Sequence, residues 1–125
     1  MATRQTVTAA GLIGHAGNLR NFRNADAFAM RAGTAPVSCA SGRHAAVRLN
    51  LGGNRKLNAL LHSIAIHQMR ADGHPSRVYY ERKRNEGKTQ RAALRALKRR
   101  LSVVVYYRLV AAADRYSAGL KRCAA

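Results

Sequence analysis

Acidic residues are nearly missing from this sequence: five Asp and Glu stand against 23 Lys and Arg, for a formal net charge of +18. So few carboxylates exclude a cluster of oxygen ligands around a catalytic metal, and no metal site is expected in the chain. The partner implied by this charge is a polyanion. Cysteine is scarce too. Cys39 and Cys123 are too few for a disulfide framework and lack the spacing of a zinc site. There is no long uncharged apolar run, which excludes a membrane span, and the start of the chain has no apolar core of a secretory signal. The expected location is cytoplasmic, associated with the nucleoid.

What is present suffices for folding. Apolar residues make up 47% of the 125, enough for one modest core and too many for a disordered basic tail. The chain is expected to be one domain over 1–125, mostly α, with a helix-hairpin-helix-like pair over 1–33. An irregular serine loop over 34–53, with at most a short strand, and a basic helical part of three longer helices over 54–125 complete it.

The helical expectations follow from periodicity and punctuation. Leu12 and Ile13 lie in a short helix over 6–17 that stops at Gly17, and Asn24 caps a second from Ala25 to Ala32, stopped by Gly33. Such a pair around a glycine-containing turn can present backbone amides to a DNA phosphate. From Asn54 to Ala71, Leu57, Leu60, Leu61 and Ile64 fall on one side, with His62 and His67 off that stripe at the surface. Pro75 opens a helix to Asn85, in which Tyr79 and Tyr80 are expected in the core rather than stacked on unpaired bases. After Thr89 a long helix runs towards Tyr116, with Gly119 just beyond its end. Its core stripe is Leu94, Leu97, Leu101, Val104, Val105 and Arg108. Lys88, Arg91, Arg95, Lys98 and Arg99 form a cationic stripe about 120° away. Residues 75–125 hold fourteen basic and three acidic residues, a net +11, so nucleic-acid contact is expected chiefly there.

Between the two helical parts lies the stretch with chemical content. Ser41 precedes Gly42, followed by Arg43, His44, Arg48, Asn50 and the Gly52-Gly53 turn, and then by Asn54, Arg55 and Lys56 at a helix start. A hydroxyl close to guanidinium groups and first-turn amides is the equipment of phosphodiester chemistry. It is equally the composition of a plain connector. His44 is near Ser41, but no neighbouring carboxylate orients it, so a Ser-His-Asp arrangement is excluded.

The ordered set Ala25-Asp26-Ala27-Phe28-Ala29, Ala35-Pro36-Val37, Ala40-Ser41-Gly42-Arg43, Arg48-Leu49-Asn50, Gly52-Gly53-Asn54-Arg55, Leu57-Asn58, Tyr79-Tyr80, Glu86-Gly87-Lys88 and Leu97-Lys98-Arg99 resembles one family. It is similar to the C-terminal transposase domain of the IS-one-ten group of insertion-sequence transposases, the bridge-RNA-guided recombinases, from about Thr8 to Leu109.

The resemblance implies a DNA recombinase in which a serine attacks a DNA phosphate while a separate acidic, resolvase-like domain holds magnesium. Carried over, the nucleophile is Ser41, with Ser38 the second candidate. DNA-binding residues are then Arg43, His44, Arg48, Asn50, Asn54, Arg55, Lys56, Lys88, Arg91, Arg95, Lys98 and Arg99. The sequence departs from the family where Ala40 replaces a frequent serine and Arg43-His44 replaces Lys-Thr. These residues contain no acidic domain, so the expectation is a truncated or separate C-terminal portion, with no cofactor of its own and magnesium only with that domain in trans. Expected partners are DNA, a guide RNA and further copies of the chain on DNA, with no membrane. The alternative is a non-catalytic basic DNA- or RNA-binding fragment, a transposase remnant or a ribosomal-type protein.

Overall fold

A computed structural model describes residues 4–41, 44–48 and 52–124. In chain order these form α1 (Arg4–Ala16), a 3-10 turn (Leu19–Asn21), α2 (Ala25–Arg31), β1 (Val37–Ser41), β2 (His44–Arg48), α3 (Arg55–Arg70), α4 (Pro75–Asn85) and α5 (Gln90–Cys123). The fold is mostly α.

Short polar residues set the starts of the helices. Asn24 Oδ1 accepts from the Ala27 amide at 3.0 Å, Asn54 Oδ1 from Leu57 at 3.1 Å and Thr89 Oγ1 from Ala92 at 3.2 Å. Each bond satisfies an amide that the helix itself leaves without a partner. Pro75 occupies the first turn of α4, where its missing N–H costs nothing, behind the His74 cap.

The apolar faces then fix how the helices meet. Phe28 of α2 is fully buried with Leu57 and Leu61 of α3, and Leu12 of α1 and Tyr106 of α5 close the same cluster. Phe22 stands edge-on to the Phe28 ring at 5.4 Å and Tyr106 tilts against it at 5.7 Å. A second cluster joins Ala65 of α3 to Leu97 and Leu101 of α5, with Tyr79 and Tyr80 of α4 packed on it. Tyr79 and Tyr80 therefore sit half-buried at the core, as expected, and His62 and His67 are exposed.

Three features differ from the sequence reading. The stretch 34–53, expected irregular with at most one short strand, carries two five-residue strands, antiparallel from Val37↔Arg48 to Ser41↔His44. The alternation that marks a half-buried strand is hidden because most of the residues are small. The second difference is the end of α5, which continues through Gly119 to Cys123. Gly119 does not adopt the positive φ that lets glycine terminate a helix.

The third difference is the buried stripe of α5. It runs through Ala93, Leu97, Leu101, Ser102 and Tyr106, whereas Val104 is 41% exposed and Arg108 faces solvent. Ala93 and Ser102 are buried because a close approach of neighbours favours small side chains, which a hydropathy stripe undervalues.

The root of the hairpin is built by backbone. Gly33 takes φ 69° directly after α2, and Gly53 lies so close that a Cβ there would fall 2.4 Å from the Gly33 Cα and N. The Asn54 amide meanwhile donates to the Arg31 carbonyl at 2.6 Å. Backbone meeting backbone cannot yield as a flexible side chain would. Gly53→Ala is therefore expected to destabilise the domain by at least ~1–3 kcal/mol, the usual range for overpacking, read as a fall in Tm. An unchanged Tm would mean that the two strands leave α2 and enter α3 independently.

Candidate functional site

The serine hairpin is held at both ends by polar groups of three helices. On the α2 side, the Thr34 and Ala35 amides both donate to the Ala29 carbonyl, at 3.0 and 3.3 Å. The buried Thr34 hydroxyl donates to Ser102 Oγ at 3.0 Å, and the Ser102 hydroxyl in turn donates to the Arg99 carbonyl at 2.7 Å. This relay ties the chain entering β1 to the middle of α5. A buried hydroxyl left without such a partner would cost ~1–3 kcal/mol.

On the α3 side, Asn58 does the equivalent work. Its Nδ2 donates to the Ala32 carbonyl at 2.9 Å and to the Gly33 carbonyl at 3.3 Å, while its Oδ1 accepts from Lys98 Nζ at 2.8 Å. One side chain thus bridges the end of α2, the start of α3 and the basic face of α5. Burial, then the neighbouring Arg95 charge, push the Lys98 ammonium below the ordinary lysine value of 10.5.

The predicted site residues divide into groups. Ser38 and Ser41 lie in β1, and His44 and Arg48 in β2. Ser41 closes β1 and pairs in register with His44, whereas Ser38 pairs with Val47. Side chains of the two strands, and Arg43 and Asn50 entirely, lie outside the described residues. Asn54 is the cap of α3 and spends its side chain on Leu57. Arg55 and Lys56 are exposed in the first turn of α3.

The cationic stripe of α5 splits in two. Lys88, Arg91 and Arg95 face solvent, and Arg95 Nε donates to the Arg91 carbonyl at 3.3 Å. Lys98 and Arg99 turn inward, Lys98 onto Asn58 and Arg99 onto Asp26 of α2. The Arg99 Nη1 atom is buried without a hydrogen-bond partner among the described residues. Burying one end of a guanidinium this way is tolerable while the other end is paired with a carboxylate.

Sequence reasoning missed Asn58, Thr34 and Ser102 as site supports. The available signal was polar residues interrupting apolar stripes, Asn58 beside Leu57 and Ser102 beside Leu101. It also missed the surroundings of Tyr79, whose ring is approached by Arg100 at 4.8 Å, Arg82 at 5.2 Å and Lys83 at 5.6 Å. The ring already has cations of its own chain around it, which agrees with a packing role.

The residues present do not fit a magnesium site. Asp26, Asp72, Glu81 and Glu86 each form an ion pair with an Arg or Lys. The hydrogen bond from Lys83, the largest influence on Glu86, holds that carboxyl below its ordinary value of 4.5. No group of three or more His, Cys, Asp or Glu able to hold a metal occurs among the described residues, nor is any helix there long and apolar enough to cross a membrane.

A small helical domain with a serine-bearing hairpin rooted among basic helices is the class of protein that fold and charge define. Residues 4–81 match the Transposase IS116/IS110/IS902 family, well over half of the chain, and the chain belongs to that family. Its role is accordingly transposase-related. The match takes in the hairpin and the Asn58 bridge and ends within α4. Among curated proteins no match is found.

The Lys98 contact has a pH signature. A lysine with its folded pKa below its unfolded one binds fewer protons when folded, so folding gains as pH rises between the two values. Lys98 is thus least favourable to stability at neutral pH, and that cost is relieved as pH climbs towards 10.5. Wild type compared with Lys98→Met by thermal melts should gain relative stability as pH rises towards 10.5. A constant difference would mean that Lys98 keeps its solution pKa and that burial does not act on it.

Proposed function

We propose that this domain is the DNA-contacting and nucleophile-bearing part of a transposase, acting in DNA recombination through Ser41 when an acidic metal-binding domain outside these 125 residues joins it. Magnesium and a guide RNA would enter with that complex. The observation that carries the reading is the Asn58 bridge, because it joins the root of the serine hairpin to the basic face of α5 through Lys98 at 2.8 Å. A phosphate drawn to Lys88, Arg91 and Arg95, or to Arg55 and Lys56 at the first-turn amides of α3, is then drawn towards the serine ribbon. The hydroxyl is a weak nucleophile by itself. In this reading the chain alone binds DNA without cutting it.

Binding should be strongly salt-dependent and weakly selective for sequence, since phosphate contacts release counterions but carry no base information. Six to ten phosphate contacts predict a loss of ~10³–10⁵ in affinity between about 50 and 200 mM salt, and Arg91→Ala with Arg95→Ala should reduce the log–log slope by roughly two. Fluorescence anisotropy with short duplexes measures both. A change of less than about tenfold would remove this face as the binding surface.

The serine is tested in the competent complex by trapping a covalent protein–DNA link. Ser41→Ala should abolish the link and leave affinity nearly unchanged, one neutral hydroxyl adding little to a phosphate-dominated contact. Ser38→Ala should leave the link intact, Ser41 being the serine that stands directly before Gly42. The reverse result would move the nucleophile to Ser38, and indifference to both changes would make the hairpin structural.

A further inference from the structure

The helices leave between them a groove of about 620 Å³, lined by residues of α1, α3, α4 and α5. Its α5 residues run from Leu97 to Leu109, ~18 Å at 1.5 Å per residue. Leu97 and Leu101 are buried beneath it, whereas Ile13, 62% exposed, and Val104, 41% exposed, leave apolar surface open beside it. The α5 side lies beyond the residues that match the family, and the chemistry proposed for the serine hairpin makes no use of it.

The polar groups of the groove gather where α4 begins. His74 Nδ1 accepts from the Ser76 amide at 3.1 Å, so the neutral ring carries its proton on Nε2. Gln68 Oε1 accepts from Ser76 Oγ at 2.7 Å, which leaves the Gln68 Nε2 protons as donors. One turn further along α4, the Arg100 guanidinium rests on the Tyr79 ring, 4.8 Å from its centre, and forms no ion pair among the described residues. The Gln68 and His74 acceptors at this end are thus engaged, and what remains is N–H and positive charge. Among the described residues no carboxylate lines the groove, and Arg108, towards its other end, faces solvent. An anionic head fits the α4 end and an apolar body fits the rest.

Size and hydrogen bonding narrow the occupant. Spread over ~18 Å, the volume corresponds to a cross-section of roughly 34 Å², less than half of what a helix ~10 Å across needs. An extended peptide is narrow enough, but its backbone N–H and C=O groups would lie on an apolar floor where none of the lining residues belongs to a strand that could pair them. A nucleobase brings donors of its own and meets acceptors already engaged. We infer that the groove is a binding site for a single-chain amphiphilic anion, an alkyl carboxylate whose head meets Arg100, Gln68 and His74 and whose chain lies over Leu101 and Val104 towards Leu109. Neither DNA binding nor Ser41 enters into this site.

Isothermal titration of the full chain, freed of nucleic acid, with sodium octanoate tests the site at about 150 mM salt, where screening keeps loose adsorption on the cationic surface low. One octanoate per chain should bind. Butyrate should bind at least tenfold more weakly, since each methylene lost from apolar contact costs up to about fourfold in affinity, and 1-octanol, which has the chain without the charge, should bind severalfold more weakly. Arg100→Gln and Val104→Glu should each weaken octanoate at least tenfold, whereas Lys121→Gln, which removes an equal charge beyond the groove, should leave its affinity within twofold. Positions 100 and 104 are exposed, so circular dichroism should show the helical fold of both variants unchanged. No binding at millimolar octanoate, several equivalents per chain with no dependence on chain length, or equal losses in Arg100→Gln and Lys121→Gln would each overturn the site.

Discussion

The structure depends on one close approach, the Gly33 and Gly53 backbones in contact at the root of the serine hairpin. Two chain segments twenty residues apart can meet this tightly only without side chains, and their meeting brings α2 and α3 end to end. Once they are joined, the Asn54 amide reaches the Arg31 carbonyl and Asn58 reaches Ala32 and Gly33. The cap of α3 and the exit of α2 become one feature. The fold thereby presents a short ribbon on a root assembled from three helices, without needing a large sheet to support it.

Charge imposes the second constraint. With 23 cations and five carboxylates, most basic residues can have no acidic partner, and Asp26, Asp72, Glu81 and Glu86 are already spent on ion pairs. Asp26 reaches across to Arg99 and helps hold α2 on α5, while Glu81 and Glu86 serve α4 itself. Exposed pairs of this kind contribute little, ~0–1 kcal/mol each. Stability must come from Phe28, Leu57, Leu61 and Leu97, all buried, and from the polar relays at the hairpin root. Among the described residues Lys88, Arg91 and Arg95 form no ion pair, and repulsion among such cations is a cost the core offsets.

Helices were legible because capping and periodicity are local. Asn24, Asn54, Pro75 and Thr89 mark starts that the structure reproduces. The hairpin was not, since Ser38, Ala40, Ala45 and Ala46 give no alternation of size or polarity to read. The buried stripe of α5 was misjudged for a related reason. Ser102 and Ala93 are core because of what approaches them, Thr34 in the case of Ser102, and that approach is set by residues 68 positions away. Of the site, the serines and basic residues could be named from sequence, but the division of the stripe into inward Lys98 and Arg99 and outward Arg91 and Arg95 needed the packing of α2 and α3 on α5.

That division explains how one helix serves two ends. Near its start α5 is amphipathic between core and cationic faces, and Lys98 and Arg99 anchor it to the hairpin root. Past Val110 the core contacts give out, but the apolar periodicity persists through Ala113, Tyr116 and Leu120 while the charges move to the far side. A segment retained merely as an overhang would gain by exposing charge all round, as the rest of the surface does. Keeping an uncharged seam on a chain of +18 exposes apolar surface to water.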